Sequence, residues 1–183
     1  ILYRFRQSEE RKQEVVKEIE EQRLMIERTD GTMEQFSREK MRAYIEQFTE
    51  GHEKAIDVDD IVAQVEREVY DGIKTSEMAK LVTLILRARI EHDHAYAYVA
   101  ARQLCDRIAH EAIGVTLGMT NGERTQAYRH AFVRNIRLGV EAKKYDAKLL
   151  TFDLEKLATL LEPSRDNLFK YLGIETLHED RKS

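Results

Sequence analysis

The stretch Ile26-Glu27-Arg28-Thr29-Asp30-Gly31-Thr32-Met33-Glu34-Gln35-Phe36-Ser37-Arg38-Glu39-Lys40 decides how the front of this chain folds. Asp30-Gly31 separates two short alternating runs, 24–28 and 32–36. Glycine takes positive φ freely and aspartate tolerates it, so this pattern predicts a β-hairpin. Ser37 stands where a helix would begin, its hydroxyl placed to accept from the first free backbone N–H groups. Met41, Tyr44, Ile45 and Phe48 then recur at helical spacing. A hairpin feeding a helix N-terminus puts Arg28 and Lys40 on one small unit near unpaired amides, the chemistry of a polyphosphate cradle.

Outward from this stretch the chain reads as helix after helix. The Ser37 helix is expected to end at Gly51, with Asp57 or Asp59 capping a second helix bearing Ile61, Val62, Val65 and Val69 on one face. Asp71-Gly72 breaks that helix. Thr75 or Ser76 is expected to cap a third, through Met78, Leu81, Val82, Ile85 and Leu86, and a fourth runs from about Ala95 to Ile113 and stops at Gly114. Gly118 and Asn121-Gly122 mark 115–122 as a linker. A long helix with Tyr128, Phe132, Val133, Ile136 and Val140 follows. The apolar stretch 149–161 ends before Pro163, and a final segment with Leu168, Phe169, Tyr171 and Leu172 closes at Gly173. Before the hairpin, 1–23 is charge-dense, and Ser8 is placed to cap a helix with a thin apolar stripe of Val15, Val16 and Ile19.

Composition narrows the classes. The 183 residues carry 42% hydrophobic and 35% charged side chains with a single proline, which suits a soluble, mainly helical protein. A net charge of −4 gives no general reason to bind nucleic acid or membrane, and no apolar run approaches a membrane span. The single cysteine, Cys105, rules out an internal disulfide framework and a four-cysteine zinc site, and a cytoplasmic setting is expected. His92 and His94 stand two apart and would diverge on a helix, so a metal pair is not expected there. The start at Ile1 rather than Met suggests a processed product or a fragment.

A second element, Tyr70-Asp71-Gly72-Ile73-Lys74-Thr75-Ser76, resembles the second nucleotide-binding run of the ATP-cone, the allosteric domain at the front of ribonucleotide reductase large subunits. The opening hairpin is similar to the cone's, and the likeness continues through Ala100-Ala101-Arg102 and Lys144-Tyr145-Asp146-Ala147-Lys148-Leu149-Leu150, covering roughly 24–177. The resemblance implies a mainly α fold: a small β-hairpin or sheet capping a four-helix bundle, then a helical segment leading to an α/β barrel absent from this sequence. It divides the chain into a charged extension (1–23), the cone (24–114) and a linker segment of the barrel domain (115–183).

The resemblance also implies a site of Ile26, Arg28, Glu34, Ser37, Lys40, Met41, Thr75 and His110. Arg28 replaces a phosphate-contacting lysine, Glu34 matches a carboxylate that serves the nucleoside, and Lys40 matches a lysine that reaches the phosphates. Thr75 would hold phosphate at a helix start. Departures are Thr29 for a second basic residue, Ser37 for asparagine, Ala79 where some cones place histidine, and His110 for a lysine. The implied effectors are ATP, activating, and dATP, inhibiting, with Mg2+. The implied partners are the radical-generating small subunit and further large subunits in a homodimer or higher oligomer, with no nucleic acid and no membrane. The segment from Lys144 to Leu177 looks closer to class I than to anaerobic or cobalamin-dependent reductases. Reduction in the family needs a radical cysteine and a redox pair, so this chain alone is not expected to be active. The cone-bearing zinc-ribbon repressor needs paired cysteines, which one cysteine cannot supply. The alternative is a helical assembly module whose degenerate cone no longer binds nucleotide.

Overall fold

The computed structural model describes residues 24–114 and 119–180. The helix expected from Ser8 and the linker residues 115–118 lie outside them. The described residues pack as two compact units, one built from 24–103 together with 170–180, the other from those within Leu104–Phe169. The change of unit falls inside a helix, eleven residues before the boundary expected after Gly114.

The first unit is mainly helical with a three-stranded sheet. Strands β1 (Met25–Glu27) and β2 (Met33–Gln35) form the expected hairpin, pairing Ile26 with Glu34. The turn is longer than a two-residue loop: the Gly31 N–H donates to the Arg28 carbonyl at 2.9 Å and the Arg28 N–H to the Thr32 carbonyl at 2.8 Å. Only Gly31 takes positive φ there, at 81°. Asp30 contributes its carboxylate instead, accepting from the Thr32 N–H and hydroxyl.

Helix α1 (Arg38–Glu46) opens at Ser37, whose hydroxyl accepts from the Lys40 N–H at 3.2 Å. It stops at Gln47 rather than Gly51, and Gly51 takes its positive φ of 76° in the connection that follows. The Arg102 guanidinium pins that connection, donating to the carbonyls of Phe48 at 3.0 Å and Glu50 at 2.6 Å. Asp57, of the two candidates, caps α2 (Val58–Glu68), whose Ile61, Val62 and Val65 are fully buried.

A two-residue strand not foreseen from sequence, β3 (Ile73–Lys74), then lies parallel to β1 and gives the order β2-β1-β3. Helices α3 (Thr75–Ala88) and α4 (Ala95–Ile113) follow. Gln103, wholly buried on α4, donates to the Ala79 carbonyl at 2.9 Å and the Tyr44 hydroxyl at 3.0 Å, with the Thr83 hydroxyl beside it, so one amide ties α1, α3 and α4.

The rest of α4 belongs to the second unit with α5 (Asn121–Glu141) and α6 (Leu154–Thr159). Asn121-Gly122 is the start of a helix, not a turn: Thr120 and Glu123 form a reciprocal capping box in front of it. The stretch 149–161 is likewise not one helix. A 3-10 turn at Ala147–Thr151 is separated from α6 by the Asp153 cap. Val133, Leu154 and Ala158 make a small core with Phe132 and Ile136 against it. A second 3-10 turn, Pro163–Leu168, precedes α7 (Tyr171–Asp180), which runs through Gly173 instead of stopping there. Helix α7 belongs to the first unit. Its Glu175 pairs with Arg87 at 3.2 Å, and the Arg87 guanidinium lies 5.8 Å from the centre of the Tyr171 ring.

Candidate functional site

The sheet sets the geometry. β1 and β3 run the same way, so the chain leaves β3 into α3 at the Arg28 end of β1. β2 runs the other way and leads into α1 at the Leu24 end, where the Phe36 N–H donates to the Leu24 carbonyl at 2.9 Å. The two helix starts therefore stand at opposite ends of one short strip of sheet. Three backbone contacts place the second start: Asp71 accepts from the Met25 N–H at 2.8 Å, the Gly72 N–H donates to the Met25 carbonyl, and the Ile73 N–H to that of Tyr70.

Glu34 lies opposite Ile26 in the register, and Arg28 follows Ile26 by two residues, so all three side chains share one sheet face. Glu34 is the meeting point. One of its oxygens accepts from Arg28 at 2.8 Å and the other from Lys40. The carboxylate is 29% exposed, the Arg28 and Lys40 side chains 54% and 71%. Cations from the end of β1 and the first turn of α1 are thus bracketed by a single carboxylate.

At the other helix start the expectation for Thr75 needs correction. Lys74 is the cap residue of α3, no side chain caps it, and Thr75 is the first helical residue. Glu77 reaches back to the Lys74 N–H and accepts from the Tyr70 hydroxyl at 2.8 Å. The Tyr70 hydrogen bond, with that backbone contact, holds the Glu77 carboxyl below the ordinary range. The remaining first-turn amides of α3 and the half-buried Thr75 hydroxyl lie beside the Arg28 end of β1.

Of the eight residues assigned from the sequence, Arg28, Glu34 and Lys40 are in direct contact. Ser37 is engaged as a cap. Ile26 and Met41 are core residues at 7% and 4% exposure. Thr75 stands across β1 from the hairpin strand. His110 is exposed on the part of α4 that belongs to the second unit. The grip of Asp71 on the Met25 N–H was missed, although Asp71 falls in the quoted 70–76 run; the signal was an Asp before a turn glycine.

The description ATP cone domain matches residues 24–111, a little under half of the chain. Over those residues the chain is similar to an ATP cone. A ribonucleoside-diphosphate reductase subunit alpha from Chlamydia trachomatis serovar D is 30% identical over 185 residues, covering 98% of this chain and 17% of the relative. The Chlamydia muridarum subunit alpha is 37% identical over 110 residues, 60% of this chain and 10% of the relative. That of Chlamydia pneumoniae is 30% identical over 111 residues, 61% of this chain and 10% of the relative. The cone and its following helices correspond to the N-terminal region of a ribonucleotide reductase large subunit, and the chain spans less than a fifth of the length of the curated relatives it matches.

Proposed function

We propose that this chain is the allosteric front region of a ribonucleoside-diphosphate reductase large subunit, its cone taking ATP as activator and dATP as inhibitor. The observation that carries the reading is the meeting of Arg28 and Lys40 on one carboxylate, with the side-chain-uncapped start of α3 at the Arg28 end of β1, inside a matched ATP cone. Free amides and the positive end of a helix favour an anion there, and the two cations add charge-assisted contacts. The phosphates would lie between the Arg28 end of β1 and Thr75, with Lys40 reaching in from α1, Glu34 serving the nucleoside, and Ile26 and Met41 forming its floor. Magnesium would arrive with the nucleotide. Among the described residues no three His, Cys, Asp or Glu side chains gather to cage an ion, so phosphate oxygens and water would supply its ligands.

ATP and dATP would act at a distance through different affinities for the states of a larger assembly, a coupling free energy between sites. The partners are the small subunit and further large subunits, in the cytoplasm, with catalysis by a barrel this sequence does not include. Calorimetric titration with magnesium ATP and magnesium dATP tests the reading: saturable binding of both is expected, and a flat trace at millimolar nucleotide would sink it. The second reading, an assembly module that no longer binds nucleotide, is favoured by the second unit, where Phe152 and Leu160 are 59% and 71% exposed. The same titration separates the two.

A further inference from the structure

We propose that Glu34 is a built-in counter-anion of the cradle, holding Arg28 and Lys40 together until an oligophosphate displaces it. The inference rests on the nucleotide reading and deepens it. Glu34 is fixed by the register of the hairpin opposite Ile26, and each of its oxygens takes one cation, from two different elements. A carboxylate used in this way presents to the cations what a phosphate edge would present: two acceptor oxygens a short distance apart. The neighbouring acids do not share the task, since Asp30 is turned to Thr32 and Glu39 to the Ser37 hydroxyl.

A ligand reaching Arg28 and Lys40 must therefore break at least one existing pair and place its charge beside a carboxylate. That threshold penalises a singly charged anion, whose attraction to the freed cations is weak, and is overcome by the several charges of a triphosphate. Glu34 thereby acts as a specificity residue, tuning the cradle towards oligophosphates. With ATP itself two effects oppose each other, because removing the carboxylate frees the cations but deletes a contact to the nucleoside. The informative probe is therefore bare inorganic triphosphate.

The test is calorimetry of inorganic triphosphate with the parent chain and with Glu34→Gln, alongside magnesium ATP with the parent. Triphosphate affinity is expected to rise about tenfold in the variant, the effect of removing one competing charge, and to shrink as salt is added. The gain should vanish when Glu34→Gln is combined with Arg28→Ala and Lys40→Ala. Should Gln disturb the hairpin, visible as a lowered melting temperature, Glu34→Ala is expected to give the same gain. Unchanged or weaker triphosphate binding overturns the inference even if the parent binds ATP. A gain that survives loss of both cations also overturns it. A gain in Glu34→Gln with no ATP binding by the parent leaves the inference standing and removes the nucleotide reading instead.

Discussion

The two units solve the same packing problem to different depths. In the first, Leu24, Ile45, Ile61, Val62, Val65, Val69, Val82, Leu86 and Val99 are almost wholly withdrawn from water. In the second, the buried apolar residues are Leu104, Ala109, Ala131, Val133, Leu154 and Ala158, while Leu138, Phe152, Leu160 and Leu168 stand 52%, 59%, 71% and 77% exposed. Burial of apolar area is the main favourable term in folding, so the cone has its own source of stability and the second unit has much less of one. The polar contacts differ to match. The cone buries an amide that ties three helices, whereas the second unit relies on surface pairs such as Arg137–Glu155 and on a partly buried cluster around Arg124.

Truncating one leucine in each unit, a buried one in the first and an exposed one in the second, is the strongest way to break this comparison. Leu86→Ala removes a fully buried side chain and should cost about 3–5 kcal/mol of stability in chemical denaturation. Leu160→Ala trims a side chain that is 71% exposed and should cost no more than about 0.5 kcal/mol. Equal losses would mean that the second unit contributes as much packing as the first.

How much of this was legible depended on what kind of force fixed each feature. Ser37 and Asp57 could be read as caps because each acts on amides two or three residues away. The faces of α2 and α3 could be read because periodicity is itself local. β3 could not: two residues carry no pattern, and the strand exists because Asp71 and Gly72 grip the backbone of Met25, forty-six residues earlier in the case of Asp71. Gly51 and Gly173 misled as helix ends because a glycine only permits a stop; α1 had already ended, and α7 is held along its length by Arg87 on α3. The charged residues around the hairpin were legible as residue types in order. That Glu34 would occupy both cations followed from a register no spacing rule supplies.

Gly139 offers a sharper probe of the second unit. A Cβ placed on it would clash with the Tyr145 ring, which therefore packs against the helix at that point. Gly139→Ala gains about 1 kcal/mol of helix propensity but forces the ring away, and overpacking costs about 1–3 kcal/mol. A net loss of about 1 kcal/mol is expected, with hydrogen exchange faster around 139–146. An unaltered or more stable variant would show the ring to be a loose cover rather than part of the packing.

The pH responses of two carboxyls should run in opposite directions. Burial raises the Asp166 carboxyl above the ordinary range, only partly opposed by the Tyr128 hydrogen bond and Arg124. The same cluster pushes the Cys105 thiol up to about 12, chiefly through burial, so that thiol stays protonated and unreactive. Because the folded form of Asp166 holds its proton more tightly, its stabilising contribution is full below the unfolded pKa and is lost as pH rises through the folded one. Glu77, lowered, behaves oppositely: its contribution is present above the unfolded pKa and is lost as pH falls through the folded one. On acidification Asp166→Asn should remove a gain that develops above the ordinary carboxylate pKa, and Glu77→Gln a loss that develops below it, both read by amide exchange within each unit. Matching slopes in parent and variants would dissolve the contrast.

The smallest expected change in stability is the one most telling about the site. A threonine serving as an N-cap would cost about 0.5–2 kcal/mol on truncation. Thr75 is not that residue: Lys74 occupies the cap position without a side-chain bond, and Thr75 is the first residue inside α3. Alanine is well suited to a helical position, so Thr75→Ala should change stability by no more than about 0.5 kcal/mol. Since the hydroxyl is not needed to close the helix, any large effect of its loss must appear elsewhere. If it meets a phosphate beside the first-turn amides, dATP affinity should fall by about tenfold with the melting temperature of the free chain unchanged. Lys40→Ala should behave alike, because its side chain is 71% exposed and its pairing with Glu34 is a surface contact. A Thr75→Ala chain that melts normally and binds dATP normally would remove the α3 start from the cradle and leave the hairpin cations to hold any phosphate alone.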